Sequence, residues 1–521
     1  MNKFLFDSII NISRDISTGK LIPSEICKAA LDLTFTTKSL NAFITITDQL
    51  AKHQSVKADN RQVDNDNKGL LDGIPIAIKD NYCVKDELTS CGSLMLSNFI
   101  SPYNSTVYDR LEMSGAILIG KTNLDEFAMG SGTVNSYYGP TKNIWNSEVF
   151  YKFYSINNSN VFYNKQNLKD DWYIAGGSSG GSAVAVASGA CYGAIGSDTG
   201  GSTRNPASYC GLVGLKPSYG LISRYGLIPL VNSMDTPGIL TRTVDDAIVI
   251  LNHIAGADPA DSTTLRAEYI PFFVNDDINL QNLVVGIPKE YNTVNLSEET
   301  LKCWMDVTNY LIEGGAKIMP VSLPNTKFSV VCYAILNCCE VASNMARYDG
   351  IQFGYRSFQG DTFSELYKNT RSEAFTNIVK ERIFTGNYFL LAENYENYYV
   401  KSMKMRRMIS EDFDNVWNSN VDILLTPTTL TEAPRYKDFV KLDNQSQSLV
   451  QDYCTQPVNM AGLPAISIPI CLSNNGLPLS LQLIAPMLHE RRLCEVAKYI
   501  EKIVNFPKLE LQSNAFCHNL N

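Results

Sequence analysis

Histidine is scarce in this chain, with four residues in 521: His53, His253, His489 and His518. Catalysis through an imidazole therefore has few candidates. Metal-ligand spacing is missing too. The thirteen cysteines form no CxxC pair and no Cys/His pattern, and in so long a chain they read as reduced thiols of an intracellular compartment. No apolar run approaches the roughly 18 residues that span a bilayer. Positive charge is not in excess either. Lys and Arg number 44 against 53 Asp and Glu, a net charge of −9, which argues against a broad direct grip on nucleic acid and leaves room only for a local basic patch. There is no internal repeat and no linker that divides the chain. The N-terminal stretch carries Asp7, Asp15 and Glu25, unlike an acid-poor transit peptide. It reads as part of the fold.

What is present is ordinary globular composition, 45% apolar and 19% charged, in a chain long enough for one large domain or two. Leu5, Ile9, Ile12 and Ile16 recur at helical spacing, and Ser24 is placed to cap a second helix with Ile26, Ala30 and Leu33 on one face. Short buried strands are predicted at 73–79, 115–120, 283–287 and 421–425. Helices are predicted at 106–113, 244–254, 298–312, 395–416 and 490–503. A hairpin is predicted to pair 465–470 with 479–484 around Asn474-Asn475-Gly476. Strands alternating with helices imply an α/β fold whose sheet is covered on both faces. Two regions break the rhythm: 146–171, rich in Asn, Tyr and Lys, reads as a surface insertion, and 505–521 as a loose tail.

The chemistry concentrates in two glycine-rich clusters, Gly176-Gly177-Ser178-Ser179-Gly180-Gly181-Ser182 and Ser197-Asp198-Thr199-Gly200-Gly201-Ser202. Three readings are open. Gly176 to Gly180 fits G-x-S-x-G, the nucleophile elbow, which needs a later histidine, and only His489 lies in a suitable polar stretch. A phosphate cradle is the second reading, although neither G-x-x-x-x-G-K-[ST] nor a strand-borne G-x-G-x-x-G occurs. In the third the glycines only permit tight turns. Lys79, at the end of an apolar strand, reads by itself as an edge residue reaching solvent.

Taken together, GIPIAIKD at 73–80, GGSSGGSAVAVASG at 176–189 and GSDTGGSTRNPASYCGLVGLKPSYG at 196–220 resemble the amidase-signature family. That resemblance implies a large twisted mixed β-sheet with helices on both faces, in one domain over 1–505 with the 506–521 tail outside it. It also implies a histidine-free triad: Ser202 as nucleophile, Ser178 in a cis peptide as the bridging serine, and Lys79 as base. Backbone N–H groups of Thr199, Gly200, Gly201 and Ser202 would form the oxyanion hole, while Ser179 and Ser182 would support the loop. Lysine serves as a base only when neutral, so burial must lower its pKa by several units.

Within the family, KTNLDEFAMGSG (121–132), the stretch 219–242, ARYDGIQFGYR (346–356) and PVNMAGLPAISIP (457–469) are similar to the glutaminase subunits of tRNA-dependent amidotransferases. Such a chain would hydrolyse glutamine, with Arg382 on the α-carboxylate, Asp452 on the α-ammonium and Tyr333 lining the pocket. It would need no cofactor of its own. Its ammonia would go to a kinase-type partner subunit that uses ATP and Mg2+ to convert Glu-tRNA(Gln) to Gln-tRNA(Gln), with a small third subunit clasping both in a heterotrimer. The 146–171 insertion is similar to the mitochondrial branch and implies the matrix, with bacterial cytoplasm as the alternative. A stand-alone amidase for another carboxamide would share the triad but not Arg382 and Asp452. A catalytically silent scaffold would have no use for an intact triad.

Overall fold

The computed structural model describes residues 3–156 and 171–512. Thirteen strands occur among them in chain order. They are β1 (Phe43–Ile46), β2 (Pro75–Lys79), β3 (Ile117–Thr122), β4 (Tyr154–Ile156), β5 (Gly193–Asp198), β6 (Val213–Lys216) and β7 (Thr236–Thr241), then β8 (Val284–Pro288), β9 (Lys317–Val321), β10 (Ile423–Pro427), β11 (Ala465–Leu472), β12 (Pro478–Ile484) and β13 (Leu509–Leu511). Eleven form one mixed sheet in the order β1-β3-β2-β5-β7-β6-β11-β12-β10-β8-β9. Its β3, β2 and β5 are mutually parallel, β7 runs antiparallel to β5, and β11 and β12 are the expected hairpin.

Alternation along the central strands explains why both faces are covered. Ile76 and Ile78 of β2, Leu118 of β3, Ile195 of β5 and Ile239 of β7 belong to one apolar core. Their neighbours Ala77, Ile117, Ile119, Ala194 and Leu240 belong to a second. Successive side chains of a strand point to opposite faces, so a strand buried on both sides must be apolar throughout. GIPIAIK meets that requirement.

Several sequence expectations shift. Ser24 is not the cap of its helix: Pro23–Thr36 starts two residues earlier than such a cap implies, with Ile22 at the cap and Pro23 in the first turn, where the missing N–H costs nothing. Ser24 instead donates its N–H to Asp59 Oδ1 at 2.9 Å. The helix predicted at 395–416 forms, with a π-helical turn at Glu396–Val400 leading directly into Lys401–Trp417. The strand predicted at 421–425 lies at Ile423–Pro427.

The region from 146 is not wholly superficial. Ser147 caps a short helix, Glu148–Phe153, whose Val149, Phe150 and Phe153 are buried. The tail is not wholly loose either, since β13 pairs with β4; residues 157–170 and 513–521 lie outside the described residues. One continuous helical stretch, Thr326–Arg347, is long and apolar enough by composition to cross a membrane. Among its residues Asn337 and Asn344 are buried and engaged in polar contacts, which suits a helix packed inside a protein.

Candidate active site

Three segments meet at the carboxyl ends of β2 and β5. Lys79 ends β2 and Ser197 lies near the end of β5, strands paired in parallel through Ile78 and Ile195. The loop 176–179 enters the helix Gly180–Ala187, and its Gly177–Ser178 peptide is cis. Crevices at the carboxyl ends of parallel strands are the usual place for a ligand in an open α/β sheet.

Lys79 is fully buried. Its Nζ lies 2.8 Å from Ser178 Oγ, 2.8 Å from Ser179 Oγ and 2.9 Å from Ser197 Oγ. Burial pushes the amine down from 10.5 to about 7, against the opposing pull of Cys91, Asp125, Asp198 and Asp235. A neutral amine has two N–H groups and one lone pair, so one of the three hydroxyls can donate to it. Ser179 Oγ directs its proton to Ser197 O at 3.2 Å, and Ser197 Oγ also accepts from Asn81 Nδ2 at 3.0 Å. Ser178 Oγ has no hydrogen bond other than the one to Lys79 among the described residues. Its proton is the one best placed to go onto Nζ.

Ser202 is partly exposed, and its carbonyl accepts the Ser179 N–H at 3.1 Å. That bond ties the two glycine-rich clusters together. No hydrogen bond joins the Ser202 and Ser178 hydroxyls in this structure.

Of the four backbone donors expected at the oxyanion hole, Gly201 is occupied, because its N–H donates to Asp198 Oδ1 at 2.9 Å. Asp198 also takes the N–H groups of Thr203 and Arg204 and the Nε and Nη2 of Arg204. Burial alone would raise this carboxyl, but Arg204 and Asn459 outweigh it and hold it well below the usual carboxylate range. The N–H groups of Thr199, Gly200 and Ser202 donate to nothing among the described residues.

Two of the three expected specificity residues, Tyr333 and Asp452, lie against the same loop. A Cβ at Gly200 would come within 2.9 Å of the Tyr333 ring, and one at Gly201, where φ is +139°, would run into the Thr455 side chain. Asp452 Oδ1 lies 3.2 Å from that second position. Only glycine admits these neighbours. Arg382 is linked to Tyr333 through Asn337, which accepts from Arg382 Nη1 at 2.9 Å and donates to Tyr333 Oη at 3.2 Å. Arg382 Nη2 donates to Asn444 Oδ1 at 2.7 Å. A cavity of about 500 Å³ opens here, lined by Tyr333, Asn337, Arg382, Asn444 and Gln456. Burial and the negative charge of Asp198 push the Asp452 carboxyl well above its ordinary range.

The histidines stand apart. His489 is exposed and its ring contacts Met487 O at 3.0 Å, while His253 bonds its own helix at Val249 O. His518 lies outside the described residues. Among the described residues no cluster of His, Cys, Asp and Glu could hold a metal.

The Amidase family profile matches residues 25–151 and 152–494. The chain belongs to the amidase family. It is similar to two mitochondrial proteins, each named as the A-subunit of glutamyl-tRNA(Gln) amidotransferase. One, from Drosophila pseudoobscura pseudoobscura, is 51% identical over 98% of each chain, and one from Homo sapiens is 50% identical over 97% of this chain and 95% of its own. The crystal structure of the glutamyl-tRNA(Gln) amidotransferase A-subunit from Thermotoga maritima is 32% identical, covers 96% of each chain and has a TM-score of 0.74. Native peptide amidase from Stenotrophomonas maltophilia also reaches a TM-score of 0.74, at 24% identity, over 96% of this chain and 97% of its own, a likeness of fold alone.

Some of this amidase's site escapes sequence reasoning. Ser179, expected only to support the loop, contacts Lys79 directly, as does Ser197. Ser182 does support the fold, bonding Thr122 Oγ1 at 2.6 Å and Ile195 O at 3.2 Å. Asp125 accepts three N–H groups, from Thr133, Val134 and Asn135, and so braces the turn that packs against Gly177. Gln456 lines the cavity with both amide atoms buried and without a hydrogen-bond partner among the described residues. Nothing in the sequence around Gln456 marks it out; the tertiary placement alone does.

Proposed function

We propose that this chain is the glutaminase subunit of a glutamyl-tRNA(Gln) amidotransferase. The observation that carries the chemistry is the buried Lys79 amine, held near neutrality 2.8 Å from Ser178 Oγ. Near-complete coverage of relatives named for that enzyme, at 50–51% identity, supports the substrate.

In this reading Ser202 Oγ attacks the side-chain carbonyl of glutamine. Its proton moves to Ser178 as Ser178 passes its own to Lys79, because a serine hydroxyl needs a positioned base to act as nucleophile. The oxyanion rests on the N–H groups of Thr199, Gly200 and Ser202, each typically worth about a hundredfold or more in rate. Gly201 serves by its missing side chain, its N–H being held by Asp198. Collapse breaks the C–N bond, and the proton returns from Lys79 through Ser178 to the leaving nitrogen. Ammonia departs and a γ-glutamyl ester remains on Ser202. Water, activated by the same relay, then releases glutamate. Arg382 grips the α-carboxylate, Asp452 the α-ammonium, and Tyr333 walls the pocket over Gly200.

Ammonia passes to a kinase-type partner subunit, which uses ATP with Mg2+ to convert Glu-tRNA(Gln) to Gln-tRNA(Gln), in a heterotrimer completed by a small third subunit. The tRNA contacts mainly the kinase-type partner. Residues 1–505 work as one amidase-signature domain. The name shared by the relatives supports a mitochondrial location, which we take to be the matrix. The test is ammonia release from glutamine by the purified chain, alone and with its partner subunits and Glu-tRNA(Gln). The proposal expects turnover that Ser202→Ala abolishes and that the assembled complex enhances. Cleavage of unrelated amides without a partner effect would instead mark a stand-alone amidase.

A further inference from the structure

One buried carboxylate beside the oxyanion loop bonds none of Lys79, Ser178 and Ser202 and lines no part of the cavity at Arg382. Asp235 immediately precedes β7, and the β5–β7 ladder ends with Asp198 opposite Thr236. One step further along this antiparallel pair Thr199 and Asp235 face each other. Thr199 Oγ1 donates to Asp235 Oδ1 at 2.6 Å, and both residues are buried.

Asp235 is held on every side. Its Oδ2 accepts the N–H groups of Leu230 at 2.8 Å and Val231 at 3.0 Å, and Arg224 Nη2 lies 3.9 Å away. All three hydrogen bonds are given to this carboxyl and none comes from it, the pattern of an ionised group. The turn it grips is fixed on its far side as well. Asn344, at the end of the helix Ser329–Asn344 that also carries Tyr333, donates to Leu230 O at 3.0 Å. Asp235 is therefore a rigid anchor for Thr199.

What the anchor sets is one peptide plane. A trans peptide points its C=O and its N–H in opposite directions, so a held carbonyl orients the donor across the same bond. Asp198 O accepts from Asn459 Nδ2 at 3.2 Å, which orients the Thr199 N–H. Gly200 O accepts from Thr455 Oγ1 at 2.6 Å, which orients the Gly201 N–H. Gly201 O accepts the Asn205 N–H at 2.8 Å, which orients the Ser202 N–H. Thr199 O accepts nothing among the described residues. The Thr199–Gly200 peptide, which carries the open Gly200 N–H, thus depends on the residues that flank it. On one side is glycine, whose backbone is free by itself. On the other is Thr199, a β-branched residue whose side chain Asp235 clamps.

We propose that Asp235 is a positioning residue of the oxyanion hole: through the Thr199 hydroxyl it sets the peptide that aims the Gly200 N–H at the substrate oxygen. This rests on the reading of Ser202 as an acyl-transfer nucleophile, and not on glutamine as the substrate.

Two rates test it: glutamine hydrolysis by the assembled complex, and labelling of Ser202 in the purified chain by an alkyl fluorophosphonate, followed by intact mass. In the labelling Ser202 Oγ bonds to phosphorus and fluoride leaves while the phosphoryl oxygen occupies the hole, so its rate reports the hole without glutamine. Asp235→Asn should lower kcat and the labelling rate about a hundredfold, the scale of one lost oxyanion donor. KM should stay within about threefold, because the hole acts on charge that develops in the transition state. Thr199→Val keeps the shape without the hydroxyl and should lower both rates about tenfold or more. Thr199→Ser should restore most of what Thr199→Val loses. The double variant Asp235→Asn/Thr199→Val should be no slower than the slower single one, as for two residues acting through one contact. Melting curves report folding, and if Asp235→Asn does not fold, the two Thr199 variants decide. Parent rates in folded Asp235→Asn, a loss confined to KM, multiplied losses in the double variant, or no recovery in Thr199→Ser would overturn the proposal. A parent chain that labels at Ser202 while the complex leaves glutamine intact fails the glutaminase reading, and its labelling rates still judge Asp235. A parent with neither activity overturns both.

Discussion

Lys79 and Lys121 sit on neighbouring parallel strands, one step apart in register, and both are fully buried. Their surroundings differ in one respect. Lys121 meets a carboxylate, Asp80 Oδ1 at 2.9 Å, with Leu88 O and Thr89 Oγ1 at 3.0 Å completing its three donors. Lys79 meets three serine hydroxyls and no carboxylate within ion-pair distance. A buried ammonium beside a carboxylate is a structural ion pair, and removing one partner strands the other charge. A buried amine among hydroxyls lacks that compensation, so desolvation favours its neutral form. Burial alone therefore does not make a base. The absence of a counter-charge does.

Four predictions bear on this contrast, from the largest effect to the smallest. Ser202→Ala should lower kcat for glutamine by about 10⁴ or more, the scale seen when a nucleophile acting in a unit is removed; residual turnover within tenfold of the parent would remove Ser202 from the role. Lys79→Met should cut kcat/KM by roughly 10²–10⁴ without lowering the melting temperature near pH 7. Lys121→Met should do the reverse. It leaves Asp80 without its ion-pair partner and should cost about 3–5 kcal/mol in denaturant unfolding. If the two variants behaved alike, the contrast between the lysines would collapse. Last, burial and the charge of Asp198 raise the Asp452 carboxyl, so an α-ammonium bound beside it should lower its pKa and draw protons off it. Calorimetry of glutamine binding to Ser202→Ala at pH 7, in buffers of different ionisation heat, reads that release, and Asp452→Asn should abolish it.

The pH dependence of stability carries the same signature. With a folded pKa of about 7 against 10.5 unfolded, Lys79 takes up its proton on unfolding anywhere between those values. Stability through this residue is full above 10.5 and declines as pH falls toward 7. Lys216, buried with Pro217 O at 3.0 Å as its one acceptor among the described residues, is lowered to about 7 as well. Lys79→Met should therefore remove one of two such contributions, leaving a shallower slope.

The sequence made the central sheet readable where local pattern and tertiary need coincide. A short apolar run such as GIPIAIK, bounded by Gly73 and Asp80, fits a strand buried on both faces, and the Asn474-Asn475-Gly476 turn ties β11 to β12. The triad candidates were legible through long motifs, and the structure brings Lys79, Ser178, Ser179 and Ser197 to one point. What stayed hidden depends on contacts between distant segments. Gly201 and Thr199 are equal as oxyanion donors in sequence; only the position of Asp198 occupies one and leaves the other open. The β4–β13 pair joins two stretches with no strand pattern of their own. The π-helical turn at Glu396–Val400 within the predicted helix stayed hidden because an amphipathic pattern does not reveal an inserted residue in a turn.

The most direct test of Lys79 as a neutral base is the pH profile of kcat/KM for glutamine in the assembled complex. The account predicts activity that rises through an ascending limb with an apparent pKa near 7, lost in Lys79→Met. A limb near 10.5, the ordinary lysine value, would contradict it.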